Sequence, residues 1–300
     1  MKPILITLSA IAFATTVFAQ SPDKALAKVS YTFSHVRDKT QRDKPYTETM
    51  LLIIGKNASI YTSYDKIVQS EARKKMIEQQ IKETPEGQPM KINLGKVKPT
   101  SSIDYFLFAK EKQLFVKESV VNDYLTEEPA FQIAWKVTKD TASFSGVHCQ
   151  KAIANFKGRN WIAWYAPELP FQSGPWKLNG LPGLIIEAYD DKKEVQFLFA
   201  GIENIKNEVI KPKQPIGDHE TVKSINPIPD NEIKLPVNAI RTTKTELDKL
   251  KAARAKDPMG FANAQMASSG VSVSMTPSKS PNTTPVKNTF NNPIELPEKN

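Results

Sequence analysis

Apolar and polar residues alternate in short runs through the N-terminal two thirds of the chain. Val29, Tyr31 and Phe33 alternate with Ser30, Thr32 and Ser34, the period of a half-buried strand. Met50, Leu52 and Ile54 share one face of a second run over 47–54. Gly55-Lys56-Asn57 turns it, and 59–62 gives a third short strand. The chain therefore opens as an antiparallel meander. The period then changes. Ile67, Met76, Ile77 and Ile81 stand at helical spacing among Lys, Glu and Gln over 65–82, with Asp65 as candidate cap and Thr84-Pro85-Glu86-Gly87 as the stop. The apolar stripe of this helix is thin, so two roles fit it: a cover over a curved sheet, or a solvated excursion.

Strand-like runs resume at 105–108, 113–116, 122–125, 132–137, 144–150 and 152–156. A bulge is expected near Gln150, because simple alternation puts Lys151 on the Cys149 face. Trp161-Ile162-Ala163-Trp164-Tyr165 carries large residues on both faces, as a covered central strand does. Runs at 184–189 and 195–199, joined by Asp190-Asp191-Lys192-Lys193, read as a hairpin. About ten to twelve strands without βαβ alternation predict a mainly β fold: a curved antiparallel sheet, half-barrel or barrel, with one or two helices. Beyond Lys211 prolines at 212, 215, 227, 229 and 236 break any long element. Thr243-Lys244-Thr245-Glu246 is a capping box opening a helix over 246–256, ended by Pro258. Residues 262–291 are rich in Ser, Thr, Asn and Pro and are expected to be disordered, and 292–296 is expected to dock back as a last strand. The resulting division is a leader at 1–19, a β domain at 20–211, a Pro-rich extension with a short helix at 212–257, and a disordered tail at 258–300.

The densest stretch lies between Ser145 and Asp190. In Gly180-Leu181-Pro182-Gly183, Pro182 fixes its own φ near −65° and Gly183 is placed to take the positive φ of a type II turn. Around it stand Cys149-Gln150-Lys151-Ala152, Phe156-Lys157-Gly158-Arg159, Ala163-Trp164-Tyr165-Ala166-Pro167-Glu168-Leu169-Pro170 and Gly174-Pro175-Trp176. On the string Gly180-Leu181-Pro182-Gly183-Leu184-Ile185 and these four ordered blocks over about 45 residues, the chain resembles the GLPGLI family of exported Bacteroidetes proteins. The resemblance runs from about Val29 to about Lys211, with an echo in Asn292-Pro293-Ile294-Glu295. It implies export and names no catalytic residue.

Composition changes this picture little. The formal charge of +9 is spread along the chain, which fits solubility and weak attraction to anionic surfaces better than nucleic-acid binding. Residues 1–19, with Lys2 followed by an apolar run and Val17-Phe18-Ala19, read as a signal peptide cut near Ala19. The expected location is periplasmic or extracellular, with no transmembrane segment in the mature chain. Cys149 is the one cysteine, which excludes an internal disulfide; a buried, inert thiol is expected. His35, His148 and His219 are scattered, and His148 and Cys149 point to opposite faces of one strand, so no metal and no cofactor are expected. No G-x-S-x-G and no phosphate loop is present.

Two carboxylates, Glu168 and Glu187, are the best placed for hydrolysis, though a structural role is the simpler one, with Glu187 paired to Arg159 or Lys177. All four tryptophans, with Tyr165 and Tyr189, crowd the central stretch. They fit first a sheet core, and as a second reading the lining of an open concave face. The helix-covered pattern is similar to half-barrel periplasmic carriers of the lipoprotein-sorting type. The expectation is a non-enzymatic envelope binding or accessory protein. An apolar ligand, lipid or peptide of an envelope partner would sit against Trp161, Trp164, Tyr165, Trp176 and Leu181, oriented by Arg159. The alternatives are a hydrolase using Glu168 and Glu187, and a structural interaction protein of an outer-membrane complex.

Overall fold

The computed structural model describes residues 22–85, 98–129, 131–205, 209–210, 231–268 and 290–298. The leader, the stop at 86–87, most of the proline-rich stretch and residues 269–289 lie outside the described residues. The strands are β1 (Asp23–Lys24), β2 (Ala27–His35), β3 (Tyr46–Ile54), β4 (Ala58–Ser63), β5 (Ile103–Phe108), β6 (Gln113–Ser119) and β7 (Asp123–Pro129). They continue as β8 (Lys136–Phe144), β9 (Val147–Phe156), β10 (Arg159–Ala166), β11 (Leu184–Asp190), β12 (Val195–Asn204), β13 (Val209–Ile210), β14 (Glu232–Ile233) and β15 (Ile240–Arg241). The helices are α1 (Tyr64–Glu83), α2 (Lys244–Lys256) and α3 (Pro258–Ser268).

Thirteen strands form one sheet in the order β15-β7-β6-β5-β4-β3-β2-β12-β11-β10-β9-β8, with β13 beside β12. Among the described residues sequence neighbours in this sheet pair antiparallel, and only the short β15 runs parallel, to β7. The path has two ends, β15 and β8, so the sheet is open. It is also strongly curved. The rings of Tyr61 on β4 and Phe197 on β12 lie 6.1 Å apart, although β3 and β2 stand between their strands. Flat spacing of about 4.8 Å per strand would separate them by roughly 14 Å.

Period-two alternation supplies a core on each face. Val29, Tyr31, Met50, Leu52, Ile54 and Phe197 point to the concave side. Leu51, Ile53, Ile60, Phe106 and Phe115 point to the other. The concave side is filled by the chain itself: the connection between β10 and β11 folds in and buries Trp176, Leu178 and Leu181. This is why the opening expectation of a mainly β, curved antiparallel sheet holds while the face does not stand empty.

Several boundaries shift for local reasons. The cap of α1 is Ser63, whose Oγ accepts from Lys66 N at 2.9 Å, while Asp65 accepts from Thr49 N. The helix has no buried residue, so of its two expected roles it takes the solvated excursion. The two runs expected at 144–150 and 152–156 merge from Val147 on into one strand, β9, while Phe144 ends β8 and the turn between them falls at Ser145 and Gly146, both with positive φ. The irregularity falls on the partner strand, between Val137 and Thr141. Residues 132–135 are outside β8. Thr243 caps α2 as its box predicts, and Leu247 packs with Val120 and Tyr124. Pro258 opens a further helix, a favourable first-turn position for proline, so the expected disorder from 258 onward does not apply to 258–268. Residues 292–296 dock on the body but form no strand.

A peptide slot at Arg159

The Phe156–Arg159 pair closes the β9–β10 hairpin on two residues with positive φ, Lys157 at 51° and Gly158 at 69°. This is the two-residue turn that matches strand twist. Arg159 is therefore the first residue of β10 and shares the concave face with Trp161. It is 3% exposed. Asp190, paired in register with Trp161, receives Arg159 Nη1 at 2.6 Å, with Glu194 Oε2 at 3.4 Å from the same nitrogen. The second oxygen of Asp190 accepts from the backbone N–H groups of Glu194 and Val195. A buried carboxylate held by two amides thus fixes the guanidinium plane.

The other edge of that guanidinium holds the C-terminal tail. Nη2 donates to Asn292 Oδ1 at 2.9 Å and to the Pro293 carbonyl at 2.7 Å, and Nε donates to the Ile294 carbonyl at 2.7 Å. Three successive residues are read by one side chain. Asn292, fully buried, also donates from Nδ2 to the Val36 carbonyl and accepts at its own carbonyl from His35 Nε2, both at 2.7 Å. Glu295 pairs with Lys177 at 2.8 Å and with Lys157 at 3.5 Å. Leu296 N donates to the Lys157 carbonyl at 3.0 Å. A Cβ on Gly158 would stand 2.6 Å from the carbonyl oxygens of Leu296 and Pro297, so the tail backbone passes where only glycine leaves room.

The electrostatics follow from burial. Desolvation lowers His35 to about 4, aided by the positive charges of Arg37 and Arg159, so the ring is neutral and donates. Burial pushes the Glu295 carboxyl up, but the hydrogen bond and charge of Lys177, with Lys157, more than offset this and hold it below the ordinary range. Lys177 is 4% exposed and also meets Glu128 at 2.5 Å.

The expected site residues divide. Arg159, expected to orient a ligand, is bonded instead to Asp190, Glu194 and the protein's own tail, and Lys177 pairs with Glu128 and Glu295; neither meets Glu187. The rings of Trp161 and Trp176 pack at a tilt of 37° with centroids 5.6 Å apart, and Phe156 lies 5.8 Å from Trp176. With Tyr165 and Leu181 they are at most 5% exposed. These four are core and do not line an open face, because the β10–β11 connection occupies that space. Trp164 lies on the opposite side of β10, half-buried, with Phe144 at 5.5 Å and its Nε1 donating to Tyr189 Oη. His35, Asp190 and Glu194 are not among the expected site residues, and Lys177 is expected only as a partner of Glu187. Their partners lie up to 257 residues away, and only the apolar-acidic island Asn292-Pro293-Ile294-Glu295 inside a polar tail could have pointed to them.

Elsewhere the chemistry is quiet. Burial, with Glu168 and Glu187 nearby, pushes the Cys149 thiol up to about 12, as suits an unreactive side chain. Glu168 is exposed in the turn after β10. Among the described residues no cluster of metal-ligating groups occurs, and no helix is long and apolar enough to cross a membrane.

Residues 53–187 match a sequence family described as a protein of unknown function, Porph_ging. That span contains the Gly180 to Ile185 string and Arg159. No curated protein matches. Two solved structures of PNGF-II, in space groups P21 and C2, are similar at 13% and 11% identity, with TM-scores of 0.43 and 0.48. They cover 61% and 75% of this chain, which spans 29% and 32% of theirs, about a third of their length. A likeness at that level says nothing about activity.

Proposed function

We propose that the chain is an exported GLPGLI-type protein of the envelope that works by binding, without catalysis, and that the Arg159 slot is where it captures an extended peptide segment of a partner. One observation carries this reading. A side chain buried to 3% exposure donates to three consecutive residues of a peptide, and that peptide is the protein's own tail. Slots that read backbone carbonyls accept any sequence able to adopt the same path. Asn292, buried and bonded at both ends of its amide, and Glu295, paired with two lysines, add selectivity for an Asn-Pro-apolar-Glu segment. An intramolecular occupant is favoured by its tether, and a partner peptide competes when its local concentration matches that advantage.

The test uses a fluorescent peptide of residues 290–298 and the full chain carrying Asn292→Ala, which weakens its own tail. Saturable binding to this variant, lost when Arg159→Met is added, is the expected result. Equal binding with and without Arg159→Met would sink the reading. A second reading, an envelope hydrolase acting through Glu168 and Glu187, has one point in its favour: burial holds the Glu187 carboxyl above its ordinary range, as a general acid requires. The same incubation separates the two. An intact peptide mass supports capture, whereas cleavage that disappears in Glu187→Gln supports hydrolysis.

A further inference from the structure

A cleft of about 360 Å³ opens on the convex side of the sheet, far in sequence from the signature stretch. Ile53, Ile60 and Phe106 form its floor, each at most 6% exposed. Leu235, Pro236 and Val237 form one rim, and the first turn of α1 forms the other through Lys66 and Ile67. The volume falls within the range of small-molecule sites, roughly 300–1,000 Å³.

The polar end of the cleft is built around Asp104, whose side chain is 6% exposed. It accepts from Thr62 Oγ1 at 2.6 Å, from Lys66 Nζ at 2.6 Å and from Lys117 Nζ at 2.9 Å. Two ammonium groups therefore converge on one carboxylate. Burial pushes that carboxyl up, and the charges of Lys66 and Lys117 more than reverse the effect, so it stays ionised. Lys117 also reaches Asp123 at 3.3 Å, but the Asp123 side chain is 42% exposed and outside the lining. Across the rim, Lys234 pairs with Glu232 at 3.3 Å. The lining thus carries Lys66, Lys117 and Lys234 against Asp104 and Glu232, an excess of one positive charge. Each ammonium has three donors. Among the described residues Lys66 uses one on Asp104, and Lys117 uses two, on Asp104 and Asp123.

An apolar floor with two converging ammonium groups at a fixed end, and one carboxylate between them in the lining, fits an amphipathic anion. We infer that this cleft binds a single-chain monocarboxylate of the fatty-acid class, its hydrocarbon on Ile53, Ile60 and Phe106 beneath Leu235 and its carboxylate against Lys66 and Lys117. A carboxylate there completes the donors of two partly buried ammonium groups and balances the lining charge, while the chain removes apolar surface from water. A neutral alcohol of equal length gains the second term alone. An alkylammonium ion meets like charge.

The experiment is isothermal titration of the full chain with octanoate, 1-octanol and octylammonium. Octanoate is expected to saturate at one site per chain and to bind at least tenfold tighter than octanol, with no binding of octylammonium. Lys66→Met, which keeps the apolar stem and leaves Asp104 its bonds to Lys117 and Thr62, is expected to bring octanoate to within about threefold of octanol. Leu235→Trp, at the half-buried rim, is expected to fill the cleft and abolish binding of both. Absence of saturable binding, equal affinities for octanoate and octanol in the unsubstituted chain, or octanoate binding unchanged in Leu235→Trp would each overturn the assignment. Should Lys66→Met fail to fold, the octanoate–octanol comparison and Leu235→Trp still decide it.

Discussion

Arg159 is the residue on which the interior electrostatics turn. A buried guanidinium contributes little net stability when its pairing merely repays its desolvation, but removing it leaves its partner charged and alone. Asp190, 1% exposed, would keep two backbone donors and lose its cation. Arg159→Met is therefore expected to cost about 3–5 kcal/mol, read as a large drop in the denaturant midpoint. Asn292→Ala touches the same network from the tail side and leaves the Arg159–Asp190 pair intact. Its expected cost is about 1–3 kcal/mol, the price of unsatisfied partners at Val36 and Arg159. If the two substitutions cost the same, the tail and not the ion pair is the main beneficiary of Arg159. Arg159→Lys is not a mild change here, since an ammonium cannot span Asp190 and three tail acceptors in one plane.

At the scale of elements, the β10–β11 connection does two jobs: it plugs the concave face and it closes a turn against β10. Gly183 N donates to the Leu181 carbonyl at 2.8 Å across Pro182, a γ-type closure that suits the fixed φ of proline. The type II expectation put a φ near +80° at Gly183. The observed φ is 159°, and the value of 87° belongs to Gly180. Glycine is required at 183 for another reason: an added Cβ would lie 2.2 Å from the Ala166 carbonyl oxygen. At Gly180 nothing lies within 4 Å of that position. Gly180→Ala should thus cost only the left-handed backbone term, about 1–2 kcal/mol, while Gly183→Ala should cost distinctly more and lower the melting temperature further. Equal losses at the two sites would contradict the close-approach account.

The same connection shows what alternation can and cannot reveal. The strands around Val29, Met50 and Trp161 were legible because each buries one or both faces at period two. The burial of Trp176 and Leu181 was not, because a connection that folds back into a concave face leaves no periodic mark. The slot was half legible: Arg159 and the 292–295 island were both visible, but nothing in the sequence joins residues separated by 133 positions or more.

For the whole molecule, the tail acts as a clasp joining β2, the β9–β10 turn and the β10–β11 connection, and its hold depends on protons. His35 goes from an ordinary 6.5 to about 4 when buried beneath the tail, facing Arg37, Arg159 and Glu194. A depressed histidine means that the open state binds the proton more readily, so closure weakens as pH falls below 6.5 and the loss is complete below about 4. Glu295 is depressed from 4.5 by Lys177 and Lys157 despite its burial. Its contribution is full above 4.5 and is lost as pH falls through its lowered value, so it reinforces the same direction at the acid end. At pH 5 the histidine term alone amounts to at most about 2 kcal/mol, or about thirtyfold in the opening equilibrium. The measurement is hydrogen exchange at the Leu296 amide, which donates to the Lys157 carbonyl, expressed as a protection factor to remove the intrinsic pH dependence. Protection is expected to fall from pH 7 to pH 5 in the unsubstituted chain and to stay nearly flat over that range in His35→Gln, where only the carboxylate titrates lower down. A protection factor that is constant from pH 7 to pH 5 in the unsubstituted chain would show that opening the clasp does not hydrate His35. It would place the histidine in the permanent core, and acidification to pH 5 would then do nothing to release the tail.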